Sequence, residues 1–402
     1  MILLVIITGL FPFSLGLSTP PDKSAKAVYF LDNKSPNSIV ALAVGPDGLL
    51  LSGGSITGTG GMGSSFVQAG SSLPSLPDAL SSSSSILVSD DVLFAVNPGS
   101  DSLSMFRINP KQPTDITLIG KPISTQGDFP TSIAYSAPLN QVCVSNTGTR
   151  SGIVCFHVSF QDGLKVSSSS TRSLPLNQTT PPSDFPAASL DAFVPRALTS
   201  ISFNSDSSAL IATIAGNPLI PLDGYLAIYA VHGSDISLAP TIGTPNGTFV
   251  LYSSLNIPNT RRILATDAFF GVAIIDISRS YVGSSVYLIT IPSKKAPCWA
   301  ALSPYTKTAF VTDGLTDQFA EIDPETGTLI DLFNGTSGNI GNLDIAAAGD
   351  KLYALSPGSS GSKTAVTVLD VSQGRGRARV IQNFRPSGLG VDFQAQGMAI
   401  YI

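Results

Sequence analysis

The sequence is poor in charged residues, in glutamate and in histidine. Charged side chains make up 12% of its 402 residues, about half the share usual for a soluble domain. Only Glu321 and Glu325 are glutamates, so 25 of the 27 acidic residues are aspartates, and there are two histidines. Glutamate, lysine and arginine favour helix surfaces, which argues against a helical bundle or an α/β enzyme. A net charge of −5 also argues against a nucleic-acid partner, which needs a concentrated basic face.

Turn-forming residues are abundant instead. The chain has 37 glycines and 29 prolines, and 43% of its residues are apolar. Glycine, proline, aspartate and serine favour the turns between short strands. The apolar share is enough for a substantial core, which argues against disorder. The composition therefore predicts many short β-strands joined by many turns.

An apolar run opens the chain but is too short to cross a bilayer. Residues 2–10 are almost all apolar, and the small residues Ser14, Gly16 and Ser18 suit a cleavage site. We interpret residues 1–18 as a secretory signal peptide and 19–402 as a single domain; the alternative is a buried N-terminal strand. No later segment has the pattern of a membrane span. We therefore expect a secreted protein, either extracellular or associated with a cell wall.

A pair of short strands repeats along the chain. The apolar strand AVYFL at 27–31 is followed by a polar turn and the strand SIVALAV at 38–44. Equivalent first strands start at 27, 92, 141, 209, 263, 308, 351 and 398, so the intervals run from 43 to 68 residues. Periods of about 40–50 residues, lengthened by loop insertions, are typical of four-stranded propeller blades.

A further strand precedes several of these copies, at 132–135, 198–203, 299–302 and 389–393. Four strands repeated seven times predict an all-β fold, a seven-bladed β-propeller with four-stranded blades. The chain begins and ends with the same type of strand. We therefore expect the N- and C-terminal segments to pair within one blade, which closes the ring and removes an exposed sheet edge.

Several segments resemble those of a known family. They are YFLDN at 29–33, VGPDG at 44–48, GTGG at 58–61 and a recurring proline-led start of one strand in each blade. These features are similar to the seven-bladed lactonase family, and within it to secreted fungal proteins called 3-carboxymuconate cyclase-like. The resemblance covers essentially the whole mature chain and lies in the blade pattern. It implies a propeller that acts, without a redox cofactor, on a small carboxylated lactone or its open form.

The resemblance also points to the mouth of the central channel. In this family the proline-led strand often starts Pro-His, and channel-facing His, Arg and Glu are expected to act on the substrate. Here the residues after the proline are Thr131, Arg196, Cys298 and Ser387, and none is histidine. Arg196 is the candidate catalytic residue, because a guanidinium can hold a substrate carboxylate.

The histidines and glutamates have plainer interpretations. His157 would lie on the face of a strand and His232 in a turn, and the functional alternative is a general base near neutral pH. Glu321 and Glu325 flank a hairpin. We favour the interpretation that they are polar residues of the turn over the alternative of a paired-carboxylate site. No Cys/His spacing suits a metal, and no motif predicts a cofactor.

The cysteines give the most specific prediction. Cys143 and Cys155 lie in strands joined by the turn at 146–151, and with a hairpin centred on Thr149 the two face each other. Opposed residues in an antiparallel pair lie within disulfide reach, and an exported protein meets oxidising conditions. We predict a Cys143–Cys155 disulfide and a buried, unpaired Cys298. A register slip of one residue would instead separate the first two.

Serine, threonine and asparagine suggest surface modification. Sequons for N-glycosylation begin at Asn33, Asn177, Asn246 and Asn334, all in turn-like sequence. The serine tracts at 81–85 and 167–170 have the pattern of flexible loops and are candidates for O-glycosylation.

Two functions of different classes stay open. The first is a secreted lactonase or muconate-cyclase type of enzyme. The second is a non-catalytic extracellular propeller that binds a glycan or a protein, as a surface antigen or scaffold; the missing Pro-His favours it. The channel mouth discriminates between them. Arg196 with a histidine or carboxylate within reach supports chemistry, whereas a mouth of Thr, Ser and apolar groups supports binding alone.

Overall fold

Seven antiparallel sheets are arranged around a central axis in the computed structural model. It describes residues 23–167, 171–184, 196–217, 222–277, 282–335, 338–359 and 363–402, so the predicted signal peptide lies outside the described residues. Each sheet has an inner, a second, a third and an outer strand, and three sheets carry one more short strand at the outside. The fold is the predicted seven-bladed β-propeller.

The inner strands, one from each blade, line the axis. They are β4 (Ile86–Ser89), β9 (Pro130–Ser136), β14 (Leu198–Phe203), β19 (Leu251–Asn256), β23 (Pro297–Leu302), β27 (Leu343–Ala348) and β31 (Gln396–Tyr401). Each contacts the inner strand of the next blade, and β31 contacts both β27 and β4, so the ring is closed. We call the end of the channel where these strands begin the upper mouth.

The second and third strands carry the repeat that the sequence predicts. The second strands are β1 (Ala27–Leu31), β5 (Val92–Asn97), β10 (Gln141–Asn146), β15 (Ala209–Ile214), β20 (Arg262–Asp267), β24 (Ala309–Asp313) and β28 (Lys351–Ser356). The third strands are β2 (Ser38–Ala43), β6 (Ser102–Ile108), β11 (Gly152–Ser159), β16 (Tyr225–His232), β21 (Gly271–Asp276), β25 (Gln318–Asp323) and β29 (Ala365–Asp370). The predicted starts of the seven second strands are correct to within one residue.

The outer strands are shorter or more exposed. They are β3 (Ser55–Gly58), β7 (Ile116–Leu118) with β8 (Ile123–Ser124), β12 (Gly163–Val166) with β13 (Arg172–Ser173), β17 (Asp235–Ile236) with β18 (Thr241–Gly243), β22 (Ser284–Thr290), β26 (Thr328–Asn334) and β30 (Arg379–Phe384). A short 3-10 helix spans Pro98–Ser100. Within the described ranges, no helix is long and apolar enough to cross a membrane.

The core lies between neighbouring blades. Every residue of β1 and of β5 is buried, because each sheet is covered on both faces by the sheets beside it. A continuous apolar run bounded by turns, rather than an alternating one, is typical of such a strand.

Aspartates at the ends of second strands hold the upper loops. Asp267 accepts hydrogen bonds from the N–H groups of Phe249 and Phe269 at 2.6 and 3.0 Å. Asp313 likewise accepts from the N–H groups of Lys295 and Leu315 at 2.6 and 2.9 Å. In the fifth and sixth blades one short carboxylate thus ties the turn after the second strand to the loop before the inner strand. This use of aspartate in turns explains part of its excess over glutamate.

The two ends of the chain close the ring, but the C-terminal segment forms a different strand of the blade from the one predicted. The C-terminal β31 is the inner strand of the first blade and pairs with β1. It is therefore not an eighth copy of the second strand, and residues 389–393 are not its inner strand. That stretch is a turn, with Gly388 and Gly390 at φ 83° and 65°, and its apolar Leu389 and Val391 pack against the adjoining core. The sequence predicted a strand here because Leu389 and Val391 have the i, i+2 spacing of one strand face.

The predicted hairpin register of the third blade is correct. Cys143 faces Cys155 across β10 and β11, with Cα atoms 4.0 Å apart, and the two are joined in a disulfide. Cys298 is a free, buried thiol, as predicted.

We expect the disulfide to contribute to stability through the unfolded chain. A Cys143→Ala/Cys155→Ala variant should lose about 2–3 kcal/mol of unfolding free energy, because a loop of this length restricts the unfolded ensemble. Denaturant unfolding with and without a reductant measures the loss. The Cys298→Ser variant should keep a reductant-sensitive stability like that of the wild type. Equal stability of the double variant and the wild type would contradict the prediction.

Candidate functional site

A segment of the chain occupies the upper mouth of the channel. Residues 77–85, which we call the channel segment, follow the insertion after β3 and lead directly into β4. The segment includes the serine tract 81–85. Ser82, Ser83 and Ser85 are buried, at most 5% exposed. The prediction that this tract is a flexible loop open to O-glycosylation is therefore wrong.

Serines of the channel segment bond to blades on different sides of the ring. The Ser82 hydroxyl donates to the carbonyl of Thr131 in the third blade at 2.9 Å. The N–H of Ser83 donates to the carbonyl of Thr199 in the fourth blade, also at 2.9 Å. The indole N–H of Trp299, in the sixth blade, donates to the Ser82 carbonyl at 3.1 Å. Ser82 alone therefore joins two blades.

The remaining blades are reached through Pro77, Asp78 and Ser84. Gln396 in β31 donates from its side chain to the Pro77 carbonyl at 3.0 Å. The Tyr252 hydroxyl, in the fifth blade, donates to the Asp78 carboxyl group. The Ser84 N–H donates to the carboxyl group of Asp344, in the seventh blade, at 3.3 Å. Since the segment continues into β4 of the second blade, it contacts all seven.

One glycine makes room for the segment. Gly397 is the second residue of β31 and has a φ of 78°, and a Cβ placed on it would lie 2.5 Å from the Ser85 hydroxyl and 2.7 Å from Ile86. A side chain at this position would therefore both strain the backbone and collide with the segment.

Asp78 is the carboxyl group that the segment brings into the channel. It is partly buried, and it accepts hydrogen bonds from the Tyr252 hydroxyl and from the Ser81 N–H at 3.0 Å. Burial raises the pKa of Asp78 to about 7, against the opposing effect of these bonds. It therefore titrates close to neutral pH.

Asp344 is a second carboxyl group at the same level of the channel. It is 8% exposed. Burial raises the pKa of Asp344 to about 7, and the charge of Asp78 adds to the shift. The two aspartates therefore form a pair of carboxyls that can each hold a proton near neutral pH, and that disfavour each other's ionisation.

Aromatic and thiol groups complete this cluster. The Tyr252 and Trp299 rings meet edge to face, with centroids 5.1 Å apart. Burial raises the pKa of the Cys298 thiol well above its usual value, and nearby aspartate charges, led by that of Asp78, act in the same direction. Cys298 therefore stays protonated and is a poor nucleophile.

The four residues predicted at the mouth have different surroundings. Thr131 is fully buried in β9, and its hydroxyl contacts those of Ser145 and Thr147, each at 3.2 Å. Cys298 is buried in β23. Ser387 lies in an exposed turn nine residues before β31, because residues 389–393 do not form the inner strand. Arg196 alone of the four is a partly exposed group beside the start of an inner strand, β14.

Arg196 has no histidine beside it. Its guanidinium lies over the Tyr225 ring at 4.9 Å, and it donates to the backbone carbonyl of Asp223 at 3.1 Å. The Asp223 carboxylate acts on it electrostatically without forming an ion pair in the part of the chain that is described. His157 and His232 are both exposed, on β11 and β16. The carboxyl groups that the channel segment brings together are instead its own Asp78 and Asp344, which accepts from the Ser84 N–H.

The other polar candidates are structural or on the surface. Glu321 is fully buried and accepts from the Thr308 hydroxyl at 2.7 Å and the Gly376 N–H at 2.8 Å, whereas Glu325 lies in the exposed hairpin. No group of three or more His, Cys, Asp or Glu in the described residues could hold a metal ion.

The sequons differ in accessibility. Asn33 is 1% exposed and its side-chain amide donates to the Ser64 carbonyl, which does not fit a glycosylation acceptor. Asn177, Asn246 and Asn334 are exposed, and their glycosylation stays a prediction. The last three residues of the tract 167–170 lie outside the described residues.

Sequence reasoning missed Asp78, Tyr252 and Asp344, although a signal for two of them exists. Thr131, Cys298, Tyr252 and Asp344 are each the second residue of an inner strand. Aligning the blades on Thr131 and Cys298 would have found Tyr252 and Asp344, whose strands were not recognised because no proline precedes them. Asp78 lies between β3 and β4, outside the strands that repeat, so an alignment of the strands of the blades would not have found it.

Comparison with known proteins shows the fold. No protein-family model and no curated protein matches the chain by sequence. A solved structure from Bacteroides fragilis, assigned as a 6-phosphogluconolactonase, matches with a TM-score of 0.62 over 94% of this chain and 98% of that one, at 10% identity. The Pseudomonas aeruginosa periplasmic gluconolactonase matches with a TM-score of 0.60 over 93% and 99%, at 15% identity. The chain shares its fold with these propellers. At such identities the likeness extends to the fold alone.

The carboxyl pair makes stability depend on pH in a defined direction. A carboxyl with a raised pKa in the folded state stabilises that state below the unfolded value, about 4, and this contribution is lost as pH rises to about 7. We expect wild-type unfolding free energy to fall between pH 4.5 and 8, by up to about 4 kcal/mol per carboxyl. Denaturant unfolding of an Asp78→Asn/Asp344→Asn variant should show a smaller fall. A parallel fall in both proteins would contradict this assignment.

Proposed function

We propose that the protein is an exported enzyme of the lactonase type, acting on a small carboxylated lactone or its open form at the upper mouth of the channel. The carboxyl pair carries this proposal, because Asp78 and Asp344 both have pKa values raised to about 7. A carboxyl that titrates near neutral pH can accept or donate a proton there. The likeness of fold to propellers named as lactonases supports the same reaction class.

Lactone hydrolysis uses one base and one acid. The ionised carboxylate of the pair would take a proton from water as its oxygen attacks the lactone carbonyl carbon. The protonated carboxyl would give its proton to the ring oxygen as the C–O bond breaks, which leaves a hydroxy acid. Tyr252 would orient Asp78 through its hydroxyl. Arg196, at the start of the neighbouring β14, would hold the substrate carboxylate. No step in this scheme needs a redox cofactor or a metal.

Two features support export. The Cys143–Cys155 disulfide is typical of proteins that fold in an oxidising compartment. The predicted signal peptide at 1–18 and the exposed sequons at Asn177, Asn246 and Asn334 agree with that route. We therefore propose an extracellular or cell-wall-associated glycoprotein.

A non-catalytic propeller is the second candidate, and one observation favours it. The channel segment covers the mouth, so Tyr252 and Asp344 are only 5% and 8% exposed. Arg196 is already engaged by Tyr225 and Asp223. In this case a glycan or protein would bind outside the closed channel.

Turnover of 3-carboxymuconate and of simple sugar lactones by the purified protein separates the two. An Asp78→Asn or Asp344→Asn variant should lose on the order of 100-fold or more in kcat, because proton transfer in the transition state is removed. Arg196→Ala should mainly raise KM, since it removes a contact made by bound substrate and transition state alike.

Asp162→Asn is the matched control. This exposed aspartate pairs with Lys165 in a hairpin of the third blade, remote from the mouth, and should retain wild-type rates. No turnover of either substrate class by the wild type would favour the binding protein. Wild-type rates in the Asp78 and Asp344 variants would remove the proposed roles of this pair.

A further inference from the structure

We propose that the channel segment is a pH-controlled gate, which closes the upper mouth when Asp78 and Asp344 are protonated and opens when both ionise. Its opening is a property of the fold alone. Its effect on turnover rests on the proposed function, because it governs access to that same site.

The closed state keeps substrate away from the carboxyl pair. The segment lies across the ends of the inner strands, bonded to Thr131, Thr199 and Trp299. Behind it Tyr252 and Asp344 are almost fully buried. A lactone can enter only after residues 77–85 move. The acid–base step then requires the segment to return over the bound lactone, because only in that arrangement do Asp78 and Asp344 lie together with raised pKa values.

Only one of the two carboxyls moves with the segment. Asp78 belongs to the segment, whereas Asp344 belongs to the wall of the channel in β27. Opening would therefore separate them and expose both to water. If Asp78 and Asp344 ionise while the segment stays closed, two like charges lie in a poorly hydrated site, where each charge costs free energy.

The groups around the pair do not neutralise these charges. Asp78 faces Tyr252 of β19, and Asp344 faces the N–H of Ser84. The next titratable groups are Cys298 of β23 and, beyond it, the aspartates Asp267 of β20 and Asp313 of β24, whose charges act on that thiol. In the described ranges neither Asp78 nor Asp344 forms an ion pair with a lysine or arginine. Ionisation therefore favours the open state.

The contacts of the segment permit a local opening. Residues 77–84 are held by separate hydrogen bonds to different blades rather than by a strand ladder. Only Ser85 continues the β4–β5 ladder, because its carbonyl accepts from the Val96 N–H at 3.1 Å. Moving residues 77–84 breaks these bonds and exposes the fully buried side chain of Leu80, but leaves the strand ladders of the blades paired. Such an opening costs less than unfolding the propeller.

The only tryptophan of the chain reports on the gate. Trp299 donates its indole N–H to the Ser82 carbonyl and is 2% exposed. In the closed state its fluorescence should be blue-shifted and poorly quenched by acrylamide. Opening would remove the bond and admit the quencher.

We expect acrylamide quenching of the wild type to increase several-fold between pH 5 and pH 8, at constant far-UV circular dichroism. Each carboxyl should shift the opening equilibrium by up to about tenfold per pH unit between its open and closed pKa values, roughly 4 and 7. The Asp78→Asn/Asp344→Asn variant should give low quenching across the range. If this variant does not fold, the Asp344→Asn variant alone serves instead. The logarithm of its opening equilibrium constant should rise with pH at about half of the wild-type slope.

Asp162→Asn should follow the wild type. Quenching that is independent of pH, or a double variant that follows the wild type, would overturn the gate. A loss of circular dichroism in parallel with quenching would also overturn it, because the whole fold would then be opening. Quenching that rises with pH without turnover of any lactone would support the gate and contradict the proposed enzyme. Turnover of a lactone, together with quenching that does not change with pH, would support the proposed enzyme and contradict the gate.

Discussion

Ser82 joins two distant blades of the ring, and the closed channel depends on it. Its hydroxyl donates to the carbonyl of Thr131 and its carbonyl accepts from the indole of Trp299. A propeller leaves polar strand ends around its axis, and buried backbone groups need partners. Here the chain supplies many of those partners itself. The channel segment is therefore part of the core, although its composition is that of a surface loop.

Because the channel segment fills the channel, two ionisable carboxyl groups lie in the interior. Asp78 caps the N–H of Ser81 within the segment and meets Tyr252 on the wall, and Asp344 caps Ser84 from the other side. These three bonds order the segment, but both carboxyls lose most of their hydration, which raises their pKa values. The same placement therefore makes the closed structure sensitive to pH and supplies two groups suited to proton transfer.

The fold was largely predictable from the sequence, but much of the candidate site was not. Continuous apolar strands such as β1 and β5 recur at a steady period, and the Cys143–Cys155 register follows from one hairpin, so local patterns were enough. The inner strand of the first blade was missed because Leu389 and Val391 alternate like a strand while packing as a turn. Asp78 lies outside the repeated strands, and the burial of Ser82, Ser83 and Ser85 depends on contacts with distant blades. Such contacts leave no periodic trace in the sequence.

Hydrogen exchange of two amides, one in the channel segment and one in β9 bonded to it, tests the account most directly. The Ser83 N–H is bonded to the Thr199 carbonyl, and the Ile133 N–H is bonded to the Ser84 carbonyl. At pH 5, where the gate is closed, both amides should exchange orders of magnitude more slowly than an unprotected loop amide. Protection of this size would establish that the segment fills the channel. Exchange of the Ser83 amide at the rate of an unprotected loop would contradict it.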